Sequence, residues 1–452
     1  MRSSTRLAFA SLACIALALP VTASAKPLDA VSTFTYSQNM HPLGYSPRVV
    51  PTENASPVDG IFNSDIAFWG QTAYHGNYEG FRIIDISAPG NPKEINDYAE
   101  CSPASTAGNQ GDIIVWDDIL VRSWNSPVSA SVTASCDGEP VPTGWEGVHV
   151  FDISDPSDPD LVASVETPNG SHTATGVPDL ANNRLLVYNN SAPGGFDMVQ
   201  VPLDNPAGAS YVGAFATGRS CHDWAVILGD VMRAACSGGD GYSMFSIGGP
   251  SGGSLDNPLL LYSKTLTPVT GHSGSFTWDG EVYIHGWEPG GGSGARCTAT
   301  GTQVTPTTVQ TDDMKSYFFF ETETGAPLGK FILPRDQTVL ENCTIHNYNI
   351  VPTDKGYILV GGNYQAGISV IDFTDPANAK EIAYADPAPL VDPDPPAGRI
   401  ELGGDWSTYW YNGFIYESDI LRGLLTWNLS DPAVAGARKL DHLNPQSQEW
   451  SY

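Results

Sequence analysis

Short apolar runs alternate with polar turns along most of the chain, and the alternation recurs in larger units. Three stretches share one grammar: "GFRIIDISAPGNPKEI" at 80–95, "GVHVFDISDPSDPDLV" at 147–162 and "GISVIDFTDPANAKEI" at 367–382. A Gly opens each copy, apolar residues alternate up to an Asp, a Pro-containing turn follows, and a second short strand closes it. Period-two alternation predicts half-buried strands. Asp-Pro with nearby Gly or Asn predicts a tight turn. Each copy therefore reads as a β-hairpin.

A second pair of strands precedes each copy, as in "NSDIAFWGQTAYHGN" at 63–77 and "QGDIIVWDDILVRSWN" at 110–125. The same shape recurs with a degenerate downstream pair in "SHTATGVPDLANNRLLVYNN" (171–190), "CHDWAVILGDVMRAACS" (221–237), "GHSGSFTWDGEVYIHGWE" (271–288) and "GDWSTYWYNGFIYESD" (404–419). "IHNYNIVPTDKGYILVGGN" (345–363) completes the third full copy. Seven units of four strands predict an all-β fold, a seven-bladed β-propeller of four-stranded antiparallel blades. The spacing is uneven because loops such as 289–313 and 386–401 absorb insertions while strands keep their lengths. For the last unit, "GLLTWNLSDPAVAGARKL" (423–440) is expected to supply the third and fourth strands. One blade cannot bury its own faces, so 61–452 is expected to be a single domain, with 26–60 as an N-terminal extension of open placement.

The strands "FRIIDIS", "VHVFDIS" and "ISVIDFTDP", together with "CHDWAV", "ENCTIHN", "WSTYWYNGFIYESDILRGL" and "LNPQSQ", resemble exported bacterial proteins of the LVIVD-repeat family. The resemblance spans nearly all of the chain after residue 25. It implies a propeller and no single reaction, since a fold does not fix a function.

The first 25 residues read as a signal peptide: a basic start "MRSSTR", an apolar stretch too short to span a bilayer, and "ASA" before Lys26. The expected product is secreted, periplasmic or extracellular, with no transmembrane anchor. A net charge of −29, made more negative by loss of Arg2 and Arg6, excludes nucleic acid as a partner. Apart from Cys14 in the leader there are six cysteines, an even number that suits an exported chain. Sequence-local pairing gives Cys101–Cys136, Cys221–Cys236 and Cys297–Cys343.

In a propeller the first strand of each blade lines the central channel, and its start shares one end of that channel with the end of the second strand. The starts are Ser64, Gly111, His172, His222, His272, His346 and Asp405. Four of nine histidines thus occupy equivalent positions in consecutive blades. Adjacent acids and amides, namely Asp65, Asp112, Asp223, Glu288 and Asn347, together with Asp405 and Trp406, complete a polar channel mouth expected to bind ligand. The imidazoles have two readings. Either they lock neighbouring blades through hydrogen bonds, or His172, His222, His272 and His346 hold one transition metal ion. The leading expectation is a binding module for an extracellular protein, carbohydrate or small molecule, uncharged or cationic. The alternative is a metal-dependent extracytoplasmic enzyme, an oxidoreductase or polysaccharide lyase. The sequence leaves open whether the protein is an enzyme. No GxSxG, Walker or dinucleotide-binding pattern is present.

Overall fold

The computed structural model describes residues 31–48, 62–102, 110–125, 127–190, 194–266, 271–289, 292, 311–338, 341–389 and 402–451. The leader at 1–25 lies outside these residues. Seven antiparallel four-stranded sheets follow one another along the chain. Blade one comprises Asn63–Trp69, Thr72–Asn77, Gly80–Asp85 and Lys93–Tyr98. The first strands of the other six blades are Ile113–Trp116, Thr173–Asp179, Asp223–Ile227, Gly274–Phe276, Tyr348–Ile350 and Asp405–Tyr411. Each first strand touches the first strands of its two neighbours, and the strand at 405 touches the one at 63, which closes the ring. The architecture is a seven-bladed β-propeller.

Within each blade, residue type follows position. First and second strands are almost wholly buried, whereas fourth strands such as Lys93–Tyr98 and Leu259–Thr265 are largely exposed. Aromatic and aliphatic side chains fill the gaps between blades, with Trp124, Trp224 and Trp427 among the largest fully buried groups. Sheets stacked face to face around a circle leave the fourth strands as outer edges and the first strands facing the channel.

The ends of the chain depart from the expected order. The fourth strand of blade seven is not taken from 434–440. Pro432–Val434 is a short 3-10 turn, and the residues after it form no strand before His442. Instead Met40–Pro47 pairs antiparallel with Gly423–Leu429, from Met40 opposite Leu429 to Pro47 opposite Gly423. Thr35–Tyr36 adds a fifth strand to blade six. At the other terminus, His442–Leu443 joins the first strand of blade one, and Ser447–Gln448 runs parallel to the first strand of blade four.

Two of the expected disulfides are present, Cys101–Cys136 and Cys221–Cys236. Cys343 is buried, and its expected partner Cys297 lies outside the described residues. The Cys221–Cys236 bond ties the residue before His222 to the second strand of the same blade, where Cys236 faces Trp224. With a separation of 15 residues, its removal as the Cys221→Ala/Cys236→Ala pair is expected to cost about 3 kcal/mol in urea unfolding under non-reducing conditions. An unchanged midpoint would show that strand pairing alone holds this corner.

Candidate functional site

The channel is built in layers along the first strands. The imidazoles of His172, His222, His272 and His346 form a row at the strand starts. Ring centroids lie 4.7 Å apart for His172 and His222, 4.1 Å for His222 and His272, and 4.6 Å for His272 and His346. Blade two contributes no ring here, because Gly111 stands at the equivalent position with φ +64, and a Cβ there would fall 2.7 Å from Nε of Arg122. That buried guanidinium instead bonds the carbonyls of Gly80 and Asn77, and burial lowers its pKa to about 9.

Hydrogen bonds set the tautomers of His172, His222 and His346 but not that of His272. The backbone N–H of Gln110 donates to Oδ1 of Asn125 at 3.0 Å, which fixes the amide orientation. Asn125 Nδ2 then donates to Nδ1 of His172 at 2.8 Å. The proton of neutral His172 must therefore sit on Nε2, from which it reaches Nε2 of His222 at 2.9 Å. His346 is the reverse case, since its Nδ1 donates to the backbone carbonyl of Trp406 and leaves Nε2 as a lone pair. His272 is 5% exposed and its Nδ1 has no partner. Its Nε2 stands 3.8 Å from Oε2 of Glu288, beyond hydrogen-bond range. Burial pushes all four pKa values down, to about 4 for His172 and His346 and well below the usual value for His222 and His272, so the rings are neutral at pH 7.

Glu288 accepts a bond from Tyr364 Oη at 2.8 Å. Tyr364 holds φ at +48, a left-handed conformation that costs a non-glycine residue about 1 kcal/mol. In that pose its ring packs on His346 at 4.7 Å, and Trp406 packs on the same imidazole at 4.7 Å. Trp406 Nε1 is buried without a partner. Asn347 follows His346, and its backbone bridges Ser407 of blade seven.

The predicted acids occupy other depths. Asp65, Asp112 and Asp223 lie one residue further along their strands than the histidine row. Asp65 accepts from Tyr409 Oη at 2.6 Å and Gln446 Nε2 at 2.7 Å, Asp112 from the N–H of Ala174 at 3.0 Å, and Asp223 from the N–H of Trp224 at 2.8 Å. Burial, then repulsion from Asp65, raises Asp223 to about 8 and, with Asp223 as a further cause, Asp112 well above the carboxylate range. Asp405 is fully buried inside blade seven, where it accepts from Thr408 and lies with Glu417 and Asp419.

Four to six residues beyond the histidine row, about 13–20 Å at 3.3 Å per residue, the C-terminal tail crosses the channel. Asn444 pairs both its amide groups with Val115 of blade two. Ser447 donates to Gly176 of blade three. The carbonyls of Gln446 and Gln448 accept from Val226 and Leu228 of blade four, and Gln448 Oε1 accepts from Phe276 of blade five at 3.0 Å. The "LNPQSQ" segment thus bonds five blades directly, with Leu443 paired to the first strand of blade one and Gln446 donating to Asp65 of the same strand.

The sequence profile of the LVIVD repeat matches residues 63–100 and 141–167, which are blade one and the outer half of blade two. This is a propeller carrying LVIVD repeats. No curated protein matches the LVIVD chain. Among solved structures, a candidate 6-phosphogluconolactonase from Bacteroides fragilis NCTC 9343 shares 9% identity over 87% of this chain and 89% of its own, with a TM-score of 0.47. Another from Bacteroides uniformis ATCC 8492 shares 9% over 84% and 88%, also at 0.47. Sqt1 of Saccharomyces cerevisiae shares 10% over 72% of each chain at 0.40. None of these likenesses carries an argument about what the LVIVD propeller does.

Sequence reasoning brought the four histidines to one place but did not single out Tyr364 or Gln110. Tyr364 had a signal, since it directly follows Asn363 at a second-strand end. Gln110 acts through its backbone N–H, which side-chain type does not reveal.

Proposed function

We propose that this LVIVD propeller is a ligand-binding module acting outside the cytoplasm, and that it takes an uncharged or cationic small molecule, saccharide or protein group at the histidine end of its channel. One observation carries this reading. The tail end of the axis is crossed by hydrogen bonds from the tail and leaves Gln448 Nε2 unmet, whereas the histidine end gathers several buried donors and acceptors without partners, among them His222 Nδ1, His272 Nδ1 and Trp406 Nε1. Such groups cost about 1–3 kcal/mol each when unmet, and a bound ligand would meet them. The largely buried carboxylate of Glu288 favours a ligand that is not an anion. The two disulfides suit an oxidising compartment, and no helix among the described residues is long and apolar enough to cross a membrane.

The test is thermal-shift screening with neutral oligosaccharides, aminosugars, uronate oligosaccharides and alkylamines, followed by titration calorimetry of any hit. Neutral or cationic members are expected to raise Tm, and Trp406→Phe and Glu288→Gln each to weaken the hit about tenfold, equivalent to one lost hydrogen bond of about 1.4 kcal/mol. A silent screen, or a hit that both variants bind as well as the parent, would count against a ligand site here. The second reading, a metal-dependent extracytoplasmic enzyme of oxidoreductase or polysaccharide-lyase type, is favoured by the convergence of His272, Glu288 and His346. Its first requirement is the ion.

A further inference from the structure

We propose that His272, Glu288 and His346 form a binding site for one divalent first-row transition ion. The proposal rests on reading the histidine end as the ligand end, and it replaces an even-handed row of four imidazoles with three specific donors.

One ligand atom from each of His272, Glu288 and His346 lies within 4.8 Å of the other two. This spacing lets a central ion draw three donors in with small side-chain rotations. Two imidazoles with one carboxylate suit zinc, iron(II), cobalt or nickel, and leave coordination positions for water or ligand. Each donor is prepared differently. His346 gives its Nδ1 proton to the Trp406 carbonyl, so Nε2 is the free lone pair, which is how metal-bound imidazoles are usually held. Glu288 is oriented by Tyr364, whose backbone strain places the phenol on the carboxylate. His272 is the independent observation: its ring is 5% exposed, its Nδ1 has no partner, and its Nε2 faces the Glu288 carboxylate at non-bonding distance. A buried imidazole is normally satisfied. An ion beside Glu288 takes the Nε2 lone pair of this ring and leaves its Nδ1–H for the bound ligand.

His172 and His222 fall outside the ligand set because their lone pairs are already occupied. Asn125 occupies the Nδ1 lone pair of His172, and the Nε2 proton of His172 occupies the Nε2 lone pair of His222. A metal on either Nε2 would have to displace that proton while Gln110 still holds the Asn125 amide. The pair instead packs beside the ion as neutral support, with the His222 ring tilted against that of His272 at 4.1 Å.

The experiment uses untagged protein, stripped with chelator and dialysed, with Co²⁺ and Zn²⁺ as probes. Expected are one equivalent of Co²⁺ with visible d–d absorption, displacement by Zn²⁺, and a rise in Tm on loading. His346→Gln and His272→Gln are expected to abolish stoichiometric binding, and circular dichroism reports whether they fold. Tyr364→Phe, which removes only an outer contact to Glu288, should weaken Co²⁺ roughly tenfold. His172→Gln should retain one equivalent. Loss of binding in His172→Gln, or stoichiometric binding that survives His346→Gln, overturns the assigned ligand set. An absence of any Co²⁺ or Zn²⁺ binding overturns the site. If an organic ligand from the screen still binds through Trp406 and Glu288 in that case, only the metal inference falls. If neither binds, both fall.

Discussion

Truncation after Leu443 is expected to cost about 5 kcal/mol of unfolding free energy and to lower Tm by several degrees while leaving the histidine row in place. The removed segment makes hydrogen bonds to Asp65, Val115, Gly176, Val226, Leu228 and Phe276, and Ser451 Oγ accepts from the N–H of Asp230 at 2.8 Å. At about 1 kcal/mol net for each bond, partly recovered by water entering the opened channel, the total stays near that figure. Trp450 adds stacking on Trp278 at 4.2 Å, worth about 1 kcal/mol. Chemical denaturation of the truncated chain checks the magnitude. Asn444→Ala, which strips both bonds to Val115, is the milder version and should cost about 2 kcal/mol. A truncated protein as stable as the parent would mean that the tail merely rests on the ring.

Glu417→Gln is expected to raise stability at pH 8 by about 2 kcal/mol and to change little at pH 5, because ionising a buried carboxyl costs about 1.4 kcal/mol for every tenfold loss of acidity on folding. Burial holds Glu417 at about 7 and Asp405 well above the usual range, with repulsion between the two adding to the rise of Asp405. At neutral pH the pair therefore keeps a proton. Asp419 stays paired with Arg422 at 2.5 Å, and Trp427 Nε1 donates to Glu417 at 2.6 Å, a bond that the Gln carbonyl can also accept. For a carboxyl whose folded pKa is raised, stability is full below its unfolded pKa near 4 and is lost as pH climbs through the folded value. Glu417 at about 7 and Asp223 at about 8 thus weaken the fold between about pH 5 and 8.5. The buried imidazoles have the opposite sign. His149 and His285, held at about 3 mainly by burial, contribute stability above pH 6.5 that is lost as pH falls toward 3. The two sets oppose each other below pH 6.5, and only the acids act above it, so Tm should peak near pH 6 and decline on the alkaline side. Parallel Tm–pH curves for parent and variant would refute the shared proton.

The blades were legible because each writes its own strands: alternation gives the pairs, and Gly or Asp-Pro gives the turns. The histidine row was legible for the same reason, since four rings at one position of a repeat must meet at the axis. What the chain hid was contact between its ends. "MHPLGYSP" at 40–47 has two prolines and little alternation, so it does not read as a strand. It is one because the third strand of blade seven offers it an open edge. "AVAGARKL" looked the better fourth strand, yet its start turns as a 3-10 element after Asp431 caps Ala433. Depth was equally hidden. Asp405 aligns with the histidines in the repeat, but its side chain goes into blade seven toward Glu417, where a Cβ on Gly362 would fall within 2.8 Å of Asp405 Cβ.

The outermost strand of blade seven is made before blade one and used only after blade six. Residues 40–47 wait without a mate until residues 423–429 exist, so closure must join distant parts of the chain after every other blade has formed. A waiting strand with a bare edge invites pairing with a neighbouring molecule. Pro42 and Pro47 remove two of its amide donors, and the irregularity between Pro42 and Gly44 breaks the flat edge that a foreign strand would need. The unpromising composition of this segment is therefore its protection: it is a poor partner for any strand except the one that completes the circle.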